Sequence, residues 1–173
     1  MEVKEAILAR RSIRNFTKKR IDQRTLEDIL KCAIFAPSAG NGQFWRFICI
    51  TDERTIEKVL VISPGLHGIP QVLIIGCIDI KEANEKGGDG ATTNALIDLA
   101  MSFQNIMLLA FEMNIGSCVV RSFSKKGLKR LLDLPDRCCP ELLMSLGYFD
   151  SLPKCPPRRK DVITIWDDGT NES

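Results

Sequence analysis

The stretch that most constrains this chain runs from Thr92 to Asn114, where apolar residues occupy most of a helix circumference. The spacing predicts one long helix carrying Ala95, Leu96, Ile97, Leu99, Ala100, Phe103, Ile106, Met107, Ala110 and Phe111 on nearly all sides. The polar residues Asn94, Asp98, Ser102 and Asn105 follow one another at intervals of four, four and three, so they share one narrow stripe. A helix covered in this way belongs in the middle of a fold or in an interface, not on a wet surface. The pattern alone leaves two arrangements open. One is a subunit interface; the other is the central helix of a monomer with a thin solvated stripe.

The chain has 173 residues and 45% hydrophobic content, which suits one domain over residues 1–166 with a polar, frayed tail at 167–173. A domain of this size buries about 70% of the surface that its unfolded chain exposes, so it needs neither a disulfide nor a metal to hold a core. With 24 Lys+Arg against 22 Asp+Glu, the charge balance falls short of a dedicated nucleic-acid binder. A single His excludes a His-rich zinc centre. The N-terminal residues lack the apolar core of a signal peptide. Apolar runs such as Val72 to Ile75 or Ile106 to Phe111 are far shorter than the ~18 residues of a membrane helix. The expectation is a soluble, cytoplasmic protein with no membrane partner.

Seven cysteines form no C-x-x-C pair. Cys49, Cys77 and Cys118 lie in apolar runs and Cys32 in a helical pattern, so all four read as small buried hydrophobes. A bond between the adjacent Cys138 and Cys139 would be strained, and their spacing with Cys155 suits no common metal or cluster site.

Helices are predicted over Val3 to Arg11, after Asp22 with Leu26, Ile29, Leu30 and Ala33 on one face, after Asp52 through Ile56 and Leu60, and after Ser124 through Leu132. Strands are predicted at Trp45 to Thr51, Val72 to Ile78, Ser117 to Val120, Leu142 to Phe149 and Val162 to Trp166, with Gly116 ending the long helix. The mixture lacks a regular βαβ repeat, so the class is α+β or an irregular α/β.

Two basic clusters stand out: Arg10, Arg11, Arg14, Lys18, Lys19 and Arg20 at one end, and Arg158, Arg159 and Lys160 at the other. Guanidinium groups bind phosphate through paired charge-assisted hydrogen bonds, and a hydroxyl such as Ser12 adds a donor. Arg10 and Arg14 would share a face if the first helix reached them. On spacing alone, a solvated basic face at the end of that helix is the better explanation of the first cluster. The Ala36 to Phe47 stretch is a loop rich in backbone donors and amides, and Gly40 and Gly42 let it approach a flat polar ring. Gly87 to Gly90 is neither a dinucleotide fingerprint nor a phosphate loop; it reads as a flexible connection or a lid. His67 reads as a loop residue.

Four segments, in order, carry a resemblance. Arg10-Arg11-Ser12-Ile13-Arg14-Asn15-Phe16 is similar to an R-R-S-x-R-x-F opening, and Pro37-Ser38-Ala39-Gly40-Asn41-Gly42-Gln43-Phe44-Trp45 to a P-S-x-x-N-x-Q-P-W loop. Gln104 to Ala110 with Ile115-Gly116-Ser117-Cys118, and then Gly147-Tyr148 with Pro157-Arg158-Arg159, complete the set. Together they resemble the nitroreductase family of FMN-dependent oxidoreductases, in a short form without the helical lid insertion.

The resemblance implies an α+β, three-layer fold with a central mixed or antiparallel sheet flanked by helices, in an intertwined homodimer with FMN at the interface. It implies that Arg10, Arg11 and Ser12 hold the phosphate and ribityl end, joined by Arg159 and Arg158. Arg14 would stand at the pyrimidine edge, and Pro37, Ser38, Ala39 and Asn41 would approach from the other subunit. Arg121 and Ser122 match the segment whose backbone N–H faces flavin N5, although the family commonly has a small or acidic residue and a glycine there. Phe44 replaces the usual proline. The implied reaction is ping-pong: hydride passes from NADH or NADPH to the flavin, then on to a quinone, nitro compound or similar oxidant. The implied alternatives are dehalogenation, flavin destruction, or a flavin-binding or regulatory dimer without turnover. Without the insertion, the substrate pocket would be open or built from Ser63 to Pro70 and Gly87 to Gly90.

Overall fold

Residues 1–159 and 161–164 are described by a computed structural model. Its elements follow in chain order as α1 (Val3–Ala9), α2 (Gln23–Ala33), β1 (Trp45–Ile50), α3 (Glu53–Val61), β2 (Val72–Asp79), α4 (Ile80–Lys86), α5 (Ala91–Glu112), β3 (Ile115–Val120), α6 (Lys125–Leu131) and β4 (Cys138–Tyr148). The strands form one antiparallel sheet in the order β1-β2-β4-β3. Ser12 adds an isolated parallel bridge to Ser117.

Strand β2 is buried along its whole length, and its alternation sorts the core into two layers. Val72, Ile74 and Ile78 face α2, α4 and α5, together with Met144 and Leu146 of β4. Leu73, Ile75 and Cys77 face α3 and α6, with Ile56, Val59 and Leu128. Helices therefore cover both faces of the sheet, which is the expected three-layer α+β arrangement. At Gly76 the central helix rests on the strand itself: an added Cβ would lie 2.6 Å from Phe103 Cε2 and 2.9 Å from Leu99 Cδ1.

Local capping chemistry sets many of the boundaries. Asp22 accepts from Thr25 N at 2.9 Å, Asp52 from Thr55 N at 2.9 Å and Ser124 from Gly127 N at 3.0 Å, each satisfying a first-turn donor. Helix α4 carries little apolar pattern and was not anticipated; buried Asp79 caps it by accepting from Glu82 N at 3.1 Å. Asn114, at φ 59°, ends α5, and Gly116 instead lies within β3 beneath Ile13.

Three further expectations need correction. Helix α1 stops at Ala9, and Arg10 is extended at φ −52°, ψ 134°, so Arg10 and Arg14 share no helix face. Bonds to the sheet take over here: Ile13 N donates to Ser117 O of β3 at 2.9 Å, and Thr17 N to Tyr148 O at the end of β4 at 2.8 Å. The polar stripe of α5 is solvated only in part: Asn94 is exposed, but Asp98 and Ser102 are buried. Val162 to Thr164 form no strand; Ile165, Trp166 and the expected tail at 167–173 lie outside the described residues, as does Lys160.

Helix α5 has the length and apolarity to cross a membrane by composition alone. Its role here is to pack on the sheet through Leu99, Phe103 and Ile106, all buried. It also leaves Ile97 and Met101 exposed, and α1 exposes Val3, Ile7 and Leu8.

Candidate functional site

The extended segment after α1 brings Arg10 of the first basic cluster within electrostatic reach of Arg158 of the second. Arg10 is half-buried, and its guanidinium pKa is lowered by burial first, then by the charges of Arg11 and Arg158; Cys118 acts the other way. Arg158 is thus within electrostatic reach of Arg10, although the two are far apart in sequence. Among the described residues, no carboxylate pairs with Arg10, Arg14 or Arg158. Like charges gathered without a counter-charge raise the local positive potential, and guanidinium groups are suited to bind phosphate.

Arg11 and Arg159 are engaged elsewhere. Arg11 Nη1 donates to the carbonyls of Leu8 and Arg10, both at 2.8 Å, so this side chain caps the end of α1 while its Nε is buried without a partner. Arg159 forms a bidentate pair with Asp161 at 3.2 and 2.7 Å, and this partner raises its pKa. Arg14 is exposed, and its carbonyl lies against Gly68, where a Cβ would come within 2.2 Å of Arg14 O. Ser12 is held by its bridge to Ser117.

The loop between α2 and β1 carries Pro37, Ser38, Ala39 and Asn41. Gly40, Asn41 and Gln43 all take left-handed backbone angles, with φ of 56°, 56° and 51°. Asn41 N donates to Ser38 O at 2.9 Å and Gly42 N to Ala39 O at 3.0 Å, closing a tight turn. Pro37, Ala39 and Asn41 are exposed, whereas Ser38 Oγ is buried without a hydrogen-bond partner.

Arg121 and Ser122 leave the end of β3. Ser122 O accepts from Gly65 N at 3.2 Å, while among the described residues no backbone acceptor takes the Arg121 or Ser122 N–H. The Arg121 guanidinium reaches Glu141 Oε2 at 3.3 Å, and Lys125 binds the other carboxylate oxygen. The Cys139 thiol donates to Glu141 Oε1 at 3.3 Å. Burial alone would raise the Glu141 pKa, but Lys125, Cys139 and Arg121 hold it below the usual carboxylate value.

The two segments expected to form one pocket line separate spaces. Gly68 to Pro70 border an open cavity of about 1200 Å³ with Phe16, Leu26 and Ile56. Gly87 borders a smaller one of about 250 Å³ with Ala39, Gly40 and Asp98. His67 is exposed.

A model of the nitroreductase family matches residues 7–63 and 57–148, which takes in the arginine opening, the glycine loop, the central helix and β4. This chain belongs to the nitroreductase family. Over 153 residues it is 31% identical to a protein of Archaeoglobus fulgidus provisionally named NADH dehydrogenase/NAD(P)H nitroreductase, covering 85% of each chain. Over 167 residues it is 49% identical to the 5,6-dimethylbenzimidazole synthase of Rhodospirillum rubrum, covering 80% of this chain and 78% of the relative. A structure described as an FMN-dependent nitroreductase of Clostridium difficile R20291 shares the fold with a TM-score of 0.79 at 22% identity, over 94% of this chain and 98% of that one.

Two residues of this nitroreductase-family fold carry site geometry that the sequence reading did not assign. The sequence pattern places Asp98 only in a polar stripe and leaves Glu141 just before the strand predicted from Leu142. A carboxylate on an otherwise apolar helix and one inside an apolar strand were the available signals, because neither is buried without a partner.

Proposed function

We propose that this chain binds FMN in a homodimer and transfers hydride from NADH or NADPH to a quinone, nitro compound or similar small oxidant. This reading is supported by Arg158 lying within electrostatic reach of the half-buried Arg10, with no carboxylate paired to either among the described residues. A phosphate bound there would relieve their repulsion. Ser12 adds a hydroxyl, and Arg11 contributes charge rather than a free fork of donors, because its Nη1 is already engaged. Arg158 replaces Arg159 as the main tail residue, since Asp161 occupies the latter.

FMN, when bound, supplies the chemistry by accepting hydride and passing the electrons to the second substrate. The chain's own part is to bind and orient it. Arg14, without a carboxylate partner among the described residues, offers positive charge to the pyrimidine edge, where negative charge develops on reduction. The free N–H groups of Arg121 and Ser122 offer donors to N5. Pro37, Ala39 and Asn41 offer an exposed wall, with the half-buried Ser38 between them.

The homodimer is supported by exposed apolar positions on α1 and α5, which a second copy would cover. We place the enzyme in the cytoplasm. The test is direct. Purified protein should take up FMN and turn yellow, bleach anaerobically with NADH or NADPH, and regain colour with a quinone. Protein that refuses FMN would end this reading.

A second reading is favoured by the 49% identity to a 5,6-dimethylbenzimidazole synthase. That product carries the dimethylbenzene ring also found in flavins, so the flavin would itself be the substrate. Incubating reduced FMN and oxygen with the protein, then searching the products for 5,6-dimethylbenzimidazole, separates the two reactions.

A further inference from the structure

We infer that Asp98 is a positioning residue, which clamps the Pro37 to Asn41 loop from the central helix into the shape that it presents to the cofactor. The inference rests on the flavin reading above for its functional consequence.

Asp98 is 4% exposed, and its two oxygens lie 3.3 and 3.2 Å from the backbone nitrogen of Ala39, 59 residues away in sequence. A carboxylate that accepts from a backbone N–H makes a charge-assisted bond, roughly twice as strong as a neutral one. The loop's other bonds are local. Ser38 and Ala39 accept within the turn, and Gln43 Nε2 donates to Asn41 Oδ1 at 2.8 Å. None of them ties the loop tip to the body of the protein.

The tip also lacks packing. Pro37, Ala39, Gly40 and Asn41 are exposed, and the cavity of about 250 Å³ opens beside Ala39, Gly40 and Asp98. Two non-glycine residues, Asn41 and Gln43, hold left-handed angles that an unconstrained loop would relax. Without the carboxylate, no hydrogen bond among the described residues would hold Ala39 to α5. Further along the same stripe, Asn105 Nδ2 donates to Cys32 O at 3.2 Å. Two residues of the α5 stripe therefore hold neighbouring pieces of chain: Asn105 the last turn of α2, and Asp98 the loop that follows it.

The test uses the full chain with FMN. Asp98→Ala should weaken FMN binding about 10-fold, and Asp98→Asn should restore it to within about threefold, because the amide oxygen accepts from the same N–H. Ala39→Pro removes the donor instead; Ser38, at φ −140° and ψ 144°, already has the conformation that precedes proline. The double variant should bind FMN no more weakly than the poorer single one, since both singles delete the same bond. Hydrogen exchange of residues 36–43 in cofactor-free protein should rise in Asp98→Ala and not in Asp98→Asn. FMN affinity within twofold of wild type in Asp98→Ala overturns the inference, as does failure of Asp98→Asn to rescue. If wild-type protein takes up no FMN, the flavin reading falls by itself. Unchanged exchange in Asp98→Ala then still rejects the clamp.

Discussion

Glu141 Oε2 lies 3.3 Å from the Arg121 guanidinium, across the junction of β4 with the end of β3. The carboxylate is 8% exposed, and Lys125 and the Cys139 thiol occupy its other oxygen. Because these partners depress its pKa, the stability that Glu141 contributes is fully present above the usual carboxylate range and is lost as pH falls through its folded value. Glu141→Gln should lower stability by about 1–2 kcal/mol near neutral pH. The gap to wild type should close on acidification, as read by urea unfolding across a pH series. A gap that widens on acidification would reverse the sign argued here.

The phosphate reading separates residues that are neighbours in sequence. Arg10→Ala and Arg158→Ala should each weaken FMN binding, by about 10-fold or more for Arg10, because the phosphate loses a half-buried charge-assisted partner. Arg159→Ala should change affinity less than twofold, since Asp161 already pairs with that side chain. Flavin fluorescence titrations at two salt concentrations measure both effects.

Gly76 allows the central helix to rest on β2. In Gly76→Ala, the new methyl would meet Phe103 Cε2 at 2.6 Å and Leu99 Cδ1 at 2.9 Å. Overpacking of this kind costs about 1–3 kcal/mol. A second change, Phe103→Leu, removes the ring edge and should recover part of the loss in the double variant, as measured by thermal and urea unfolding.

The cysteines should divide by exposure. Burial pushes the Cys49 thiol up to about 11, and burial with the nearby Cys138, Cys139 and Glu141 raises Cys77 as well. Cys155 is exposed. A thiol reagent near neutral pH should label Cys155 within the first phase, and Cys49 and Cys77 only after unfolding. Peptide mapping of the labelled protein checks the order.

Much of the architecture was legible because its causes are local. Asp22, Asp52 and Ser124 each precede a helical pattern and cap it, and β2 is an apolar run that only a doubly covered strand explains. Helix α4 was not legible, since Ile80 to Lys86 offers almost no apolar periodicity and depends on buried Asp79 for its start. The order of motifs identified the family, and the match over residues 7–148 agrees with it.

The arrangement of charge was decided elsewhere. Helical spacing favours Arg10 and Arg14 on one face, but the bridge from Ser12 to Ser117 draws this segment into an extended course. Pairing along an existing sheet edge outweighs the weak propensity of one more helical turn. Nothing in the order of residues distinguishes Arg158 from Arg159; the position of Asp161 and the nearness of Arg10 do.

By itself, then, the sequence determined where helices and strands begin, which faces are apolar and which family the chain joins, because capping and periodicity act over a few residues. Only the tertiary structure decided which charges meet and which polar residues are buried. Coulomb attraction and burial depend on distances in space, and Asp98 meeting Ala39 is invisible until the central helix lies beside the loop.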